Sequence, residues 1–410
     1  MPQDIIRTAK KPQKVDLKRI GEIGTKLRKL IDQMSFIFPA RTHLLQQILF
    51  ALLTRQHVLI FGTYGTGKSD LVNTIFEAFE GCKIFSIELS KFLSESSIFG
   101  VPDPKKMREQ GEVYYNPEYG ILVADFAELD EFFDANDSLL RATLGVLNER
   151  HFKRGRQFEW AKLHSAIAST NGDPRATVKN KPELGAVVDR FLFQCRVGYV
   201  QTKEQRLRMY EKYLSGEKPS VKLTLEELKH ISGIVVDANQ IDDPEFLVVY
   251  DDVVEAYKAK MGTGILEISD RRRCRLLQIC EANALLYGRY EVTFEDIYAV
   301  KWGLCTGGEQ AHIDAFDSVA KPIIEKAVEA RKQNIDELQV KLLAELKQQV
   351  PQLPQNPTSD DLVTTMKGCK DLRAKVADIK PLLQSTEQEK NRILAQIDKI
   401  SASTLEKITA

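Results

Sequence analysis

Apolar positions fall in short runs along the first half of the chain and in helical stripes along the second. Five runs read as strands: His57–Phe61, Lys83–Ile87, Ile121–Leu129, His164–Thr170 and Phe191–Val197. The first is a short, continuous apolar run, the mark of a buried parallel strand. Between them lie segments with helical spacing: Leu71–Phe76, Ser90–Phe99, Ser138–Glu149 and Leu184–Arg190. Leu139, Leu140, Leu144 and Leu147 share one side of the third. Ahead of the first strand, Ile20–Met34 and His43–Thr54 have helical periodicity, joined by the apolar turn Phe36–Ala40. Strands alternating with helices predict a parallel α/β sheet. Val101–Tyr119 is irregular, with Pro102, Pro104, Gly111 and Pro117, and Glu112-Val113-Tyr114-Tyr115 alternates as a hairpin arm would.

From Lys203 the pattern is helical throughout, over about 203–215, 224–238, 244–260, 269–287 and 293–304. Thr293 followed by Asp296 is a cap signal for the last of these. Gly307-Gly308 marks a break. Beyond it Val319, Ile323, Ala327, Ile335, Leu338, Leu342 and Leu346 recur at helical steps, with Pro322 expected near that helix's start. Pro351, Pro354 and Pro357 form a stiff linker. Two amphipathic stretches, about 360–379 and 382–408, are divided by Pro381 and should pack together and against the long helix. The expected division is an N-terminal arm and helix (1–35), an α/β domain (36–200), an all-α domain (201–306) and a C-terminal helical extension (307–410).

Composition narrows the classes. The 410 residues carry 58 basic and 58 acidic side chains, so net charge leaves no nucleic-acid footprint. Residues 1 to about 20 are lysine-rich and read as a solvated arm. The six cysteines lack C-x-x-C spacing and read as reduced thiols, which points to a reducing, cytoplasmic compartment. No apolar run approaches the ~18 residues of a membrane span. The basic first thirty residues lack the apolar stretch of a secretory signal.

The chemistry begins at Gly62-Thr63-Tyr64-Gly65-Thr66-Gly67-Lys68-Ser69, which fits G-x-x-x-x-G-K-[ST] at every fixed position. It lies between an apolar strand and a helix, the context that wraps backbone N–H groups around a phosphate chain. Lys68 would reach the β- and γ-phosphates of ATP and Ser69 would ligate Mg²⁺. The strand ending in Asp130-Glu131 supplies the acidic pair that such a site needs. The aspartate orients Mg²⁺ and the glutamate polarises the attacking water. Another register would use Asp125, but Phe126 follows it where glutamate is required. Glu128, inside the strand, needs a partner or a raised pKa. Asn171 ends the next strand, either as a ligand of the γ-phosphate or attacking water or as a turn residue before Gly172-Asp173-Pro174. Arg271, Arg272, Arg273 and Arg275 form either a solvated basic face or a phosphate-facing one.

In this order (P-loop, Asp-Glu strand, asparagine strand, Asp189-Arg190-Phe191, Ser269-Asp270-Arg271-Arg272) the chain resembles an AAA+ ATPase. More narrowly it is similar to the MoxR group and its RavA branch, through Ile98-Phe99-Gly100, Leu147-Asn148-Glu149-Arg150 and the two arginine motifs. The resemblance covers about residues 36 to 306. It implies a P-loop NTPase fold with an all-α lid and a hairpin insert over about 90–120 that faces a ring axis. It further implies that Asn171 is sensor 1, that Arg190 is an arginine finger for the neighbouring subunit, and that Arg271 is sensor 2, with Arg272 competing. The family forms hexamers that act as ATP-driven chaperones or remodellers, often beside von Willebrand A proteins. A nucleic-acid motor and an ATP-gated scaffold with weak turnover are the other readings; neutral charge weighs against the first. Thr63-Tyr64 stand where the family has prolines, and Glu128 stands where it has an apolar residue.

Overall fold

The structure, a computed structural model, describes residues 15–111, 113–181, 184–237, 241–262, 268–306, 310–381 and 383–409. The first fourteen residues of the expected arm, Glu112 of the expected hairpin arm and Gly307-Gly308 lie outside the described residues. The chain divides into two compact units, one ending at Lys321 and one beginning at Pro322.

In the first unit, α1 (Leu17–Ile37) buries Ile20, Ile23, Leu27, Leu30, Ile31 and Met34 along one stripe, and α2 (Thr42–Leu53) is buried almost all round. Strand β1 (Val58–Gly62) leads through the glycine loop into α3 (Lys68–Phe76). After a two-residue strand β2 (Phe79–Glu80) come β3 (Ile84–Glu88), the single turn α4 (Ser96–Phe99) and α5 (Pro104–Gln110). Strand β4 (Phe126–Asp130) precedes α6 (Asp137–Glu149), the strands β5 (His151–Arg154) and β6 (Gln157–Trp160), and β7 (Ser165–Thr170). Helices α7 (Pro174–Asn180) and α8 (Gly185–Val188) lead to β8 (Phe193–Val197). The five core strands form one sheet in the order β3-β4-β7-β1-β8, parallel throughout. This is the α/β P-loop NTPase fold; each of the five apolar runs supplies a strand, although Ile121–Leu129 becomes strand only at Phe126, its first residues Ile121–Val123 forming a 3₁₀ turn.

The helical part follows as α9 (Lys203–Ser215), β9 (Leu223–Thr224, paired with β2), α10 (Leu225–Asp237), α11 (Pro244–Met261) and α12 (Asp270–Leu286). A 3₁₀ segment, Phe294–Val300, opens on the Thr293/Asp296 capping box that the sequence signals and runs into α13 (Lys301–Leu304). Helix α14 (Gln310–Gln348) begins in the first unit, where Ile313 and Phe316 are buried and the Phe316 ring meets Tyr257 at 5.8 Å. No described helix is long and apolar enough to cross a membrane.

Four expectations are corrected. Pro322 lies inside α14 rather than near its start, because the helix extends back to bury Ile313, Phe316 and Ala320. Leu338 and Leu342 face solvent; the buried positions in that part of α14 are Leu343 and Leu346. Among the described residues the 90–120 region is a looser hairpin than expected: one antiparallel bridge, Pro102 with Tyr115, closes around α5. Ser90–Phe99 is helical only over its last turn. A regular hairpin is β5–β6, which sequence periodicity misses because its strands have four residues each, joined by the turn Gly155-Arg156.

In the second unit, α15 (Ser359–Asp378) and α16 (Gln384–Thr409) pack on each other and on the end of α14. Leu343, Leu346, Cys369, Leu372, Val376, Ile393 and Ile397 form their core.

Candidate active site

The parallel sheet sets the site by aligning the carboxyl ends of β1, β4 and β7. Gly62 has φ 131°, and a Cβ there would lie 2.3 Å from the Val197 carbonyl oxygen, so the loop leaves β1 against β8 only with glycine. Gly65 and Gly67 also have positive φ, and Gly67 turns the chain into α3. Thr63 donates its N–H to the Val197 carbonyl, and Thr66 Oγ1 donates to the Thr63 carbonyl at 3.0 Å. Tyr64 stands out at the loop tip, 74% exposed.

Lys68 Nζ lies 3.2 Å from Asn171 Oδ1 and 3.5 Å from the Thr63 carbonyl. Partial burial lowers its pKa, against the nearby charges of Glu131 and Asp130. Ser69 Oγ lies 3.4 Å from Asp130 Oδ2. Glu131 adopts φ 48°, unusual for a side chain other than glycine, and its carboxylate accepts from Asn171 Nδ2. Burial first, then the Asp130 and Asp134 charges, raise its pKa. Lys68, Ser69, Asp130, Glu131 and Asn171, read separately from three motifs, therefore form one cluster.

Ser169, which the sequence reading did not select, donates to Asp130 Oδ1. The β4–β7 register pairs Leu129 with Ala168, which sets Ser169 beside Asp130. Its signal was the spacing of two from Asn171, visible only once β4 and β7 are neighbours. Asp125 precedes β4 at the strand's other end, paired with Lys229 at 2.9 Å. Glu128 is buried; Ser86 Oγ donates to it at 2.9 Å and burial raises its pKa, so both conditions on a buried carboxylate are met.

The donor set Ser69 and Asp130 is all oxygen and open on one side. No group of three or more His, Cys, Asp or Glu able to hold a metal occurs among the described residues. The hydroxyl and carboxylate oxygens of Ser69 and Asp130 suit Mg²⁺, which keeps several waters and takes phosphate oxygens besides one or two protein ligands. Beside the loop is a cavity of about 370 Å³, with Ile37, Phe38 and Arg41 on one wall and Tyr199, Met209 and Lys212 on another. Arg41 donates to the Thr66 and Gly198 carbonyls, and Lys212 sits 4.6 Å over the Phe38 ring while pairing with Asp70. An aromatic cavity with cations, opening onto a phosphate loop, has the chemistry for the base and sugar of a nucleotide.

The arginines gather elsewhere. Arg190, just after α8, donates to the Ala186 carbonyl at 2.7 Å; its pKa is lowered by burial and then by Arg271. Arg275 is lowered by burial and by Arg271 and Arg190. Arg150, with φ 55° at the end of α6, is held down to about 9 by burial, Arg55 and Arg275. Arg272 is different: its guanidinium donates to the Phe191, Leu192 and Gly303 carbonyls, and it is 4% exposed. It ties α12 to the start of β8, and of the two competing arginines only Arg271 faces outward.

Fold and site together define a P-loop NTPase. The chain belongs to the MoxR family of AAA+ ATPases: residues 25–231 match the MoxR domain of the MoxR–vWA–β-propeller ternary systems. It is 27% identical over 281 residues to an uncharacterised protein of Methanocaldococcus jannaschii, covering 68% of this chain and 70% of that one. It is 31% identical over 191 residues to chaperone MoxR1 of Mycobacterium tuberculosis, covering 46% of this chain and 48% of that one. A solved structure of a candidate ATPase from Cytophaga hutchinsonii superposes with TM-score 0.54 at 18% identity, covering 76% of this chain and 96% of that one, a likeness of fold.

Proposed function

We propose that this chain hydrolyses ATP as a homo-oligomeric ring, a hexamer as in the family it resembles, and uses the cycle to remodel a protein partner. The observation that carries the reading is the single cluster of Lys68, Ser69, Asp130, Glu131 and Asn171 at the ends of adjacent strands. The loop from Gly62 to Gly67 holds the phosphates with its backbone, and Lys68 carries a positive charge to them. Ser69 and Asp130 would hold Mg²⁺, which when bound would supply positive charge to the phosphate oxygens. Glu131, its pKa raised and its carboxylate oriented by Asn171, takes a proton from the attacking water. Asn171 fixes that water relative to the γ-phosphate.

Arg190 lies near Arg271, which supports reading them as phosphate-facing cations: Arg190 stabilises transition-state charge on the γ-phosphate held by a neighbouring copy, and Arg271, as sensor 2, reaches the nucleotide from the all-α lid. The family match supports a von Willebrand A protein as partner class, and the name of the mycobacterial relative supports a chaperone-like role. A place near the RavA branch is supported by the four short motifs named above. Six free cysteines support a reducing, cytoplasmic setting.

The test compares wild type with Glu131→Gln. The variant should retain ATP binding and lose turnover by about 10²–10⁴-fold. Near-normal phosphate release from the variant would remove Glu131 from the chemistry. Stimulation of the wild type by single-stranded DNA rather than by a von Willebrand A protein would turn the reading to a nucleic-acid motor.

A further inference from the structure

The β5–β6 hairpin has two unlike faces. Its inner face is fastened. Phe152 is buried with its ring 4.4 Å from that of Phe99. Gln157 exchanges two hydrogen bonds, both 2.8 Å, with the backbone of Tyr115. Glu159 accepts from the Tyr114 hydroxyl at 2.7 Å, and Arg154 pairs with Glu95 at 3.2 Å.

Its outer face is aromatic and open. The register pairs His151 with Trp160 and Lys153 with Phe158, which sets these four on one side. Trp160 is 66% and Phe158 is 47% exposed. The His151 ring stacks on Phe158 at 4.9 Å, and Phe158 meets Trp160 edge-on at 5.1 Å. Beside this row a groove of about 380 Å³ runs between α6 and β5, lined by Arg141, Lys153 and Arg154 with Glu95 and Glu149. His151 lines the groove and stacks on Phe158, so cationic groove and aromatic row are continuous.

We propose that this surface docks an extended protein segment in which acidic and large apolar side chains alternate. The charge decides the occupant. Glu95 is already paired with Arg154, which leaves Arg141 and Lys153, both exposed, to receive carboxylates. The aromatic row receives apolar side chains, and a rigid, exposed apolar patch of this kind marks an interaction site. Successive side chains of an extended chain point to opposite sides, so a segment lying along the boundary marked by His151 turns its acidic side chains to the groove and its apolar ones to the row. A nucleic-acid strand would bring phosphates against Glu149, whose carboxylate is 64% exposed; a peptide backbone offers that carboxylate N–H donors instead. The inference rests on the remodelling reading for its biological sense, but the binding is measured without turnover.

The experiment uses the full chain and fluorescence anisotropy with three labelled probes: a twelve-residue peptide alternating Glu and Leu, the same peptide with Lys for Glu, and a twenty-nucleotide oligo-dT. The Glu–Leu peptide should bind. Its affinity should fall at least about tenfold in Phe158→Ser/Trp160→Ser and in Lys153→Glu, while Trp160→Phe retains it and nucleotide affinity stays as in wild type. Equal affinity of all variants for the Glu–Leu peptide, equal binding of the Lys–Leu peptide, or binding of oligo-dT alone through the same residues would each overturn the proposal. Normal ATP turnover with no peptide binding would remove the docking surface and leave the ATPase standing. Peptide binding without turnover would do the reverse.

Discussion

Single residues in this chain are constrained most tightly where polar groups are buried. His57 donates from Nε2 to the Leu147 carbonyl and accepts the Ala166 N–H at Nδ1, a pattern only the neutral ring can make. His164 is buried as well, with Nε2 on the Leu52 carbonyl, and burial holds its pKa down to about 3. Between pH 6.5 and 3 the unfolded chain therefore binds a proton at this position that the folded chain refuses, so stability falls as the pH drops through that window. His164→Gln keeps a donor and cannot charge. Its unfolding free energy, measured by urea titration, should change less between pH 7 and pH 5 than that of wild type, by up to about 1.4 kcal/mol per pH unit. An unchanged pH slope would mean that His164 takes up its proton in the folded chain as readily as in the unfolded one. Arg272 shows the same economy at a charged group: three carbonyls hold its guanidinium, and burial lowers its pKa to about 10.

At the scale of elements, α1 and α12 cross at unusually short range. A Cβ on Gly24 would fall 2.3 Å from the Leu286 carbonyl oxygen and 2.9 Å from its carbon, both rigid backbone. Gly24→Ala must push the helices apart and should destabilise by roughly 1–3 kcal/mol in urea unfolding. Gly233, in α10, meets nothing within 4 Å, so Gly233→Ala should be neutral or stabilise by up to about 1 kcal/mol through helix propensity. Equal effects from the two would refute the close-crossing argument. Helix α9 is held differently. It buries none of its residues and is fastened by cations, with Arg208 3.5 Å over Phe36 and Lys212 over Phe38. It forms a wall of the nucleotide-sized cavity by charge and ring contact rather than by a core.

For the whole molecule the separation of two clusters matters most. The phosphate-loop group has Lys68 as its cation, while Arg190, Arg271 and Arg275 sit together elsewhere. If Arg190 serves a neighbour, Arg190→Ala rings should bind ATP and lose turnover by about 10³–10⁵-fold. Mixing them with Lys68→Ala subunits, which supply intact arginines, should restore part of the activity. Proven co-assembly without rescue would count against action in trans, and a fully active Arg190→Ala ring would remove the residue from the site. The second unit has its own core around Leu343, Cys369, Val376 and Ile393, and the proposed helical extension from about residue 307 includes it.

The sequence by itself determined the strands, the phosphate loop and the acidic pair, because these depend on local patterns: short apolar runs, glycines at positive φ and a strand ending in Asp130-Glu131. It also placed α15 and α16 within a few residues, since two apolar stripes divided by Pro381 are local signals. Only tertiary structure decided which residues share a site. Ser169 reaches Asp130 through strand register. Arg272 and Arg271 are adjacent in sequence, yet one is bound by three carbonyls and the other faces outward, because successive residues of α12 point about 100° apart. Pro322 was misplaced because a buried Phe316 outweighs the local preference for proline at a helix start. The β5–β6 hairpin escaped because its short strands take their burial from Phe99 and Tyr115, partners about 40–50 residues away, and no local period records a contact at that separation.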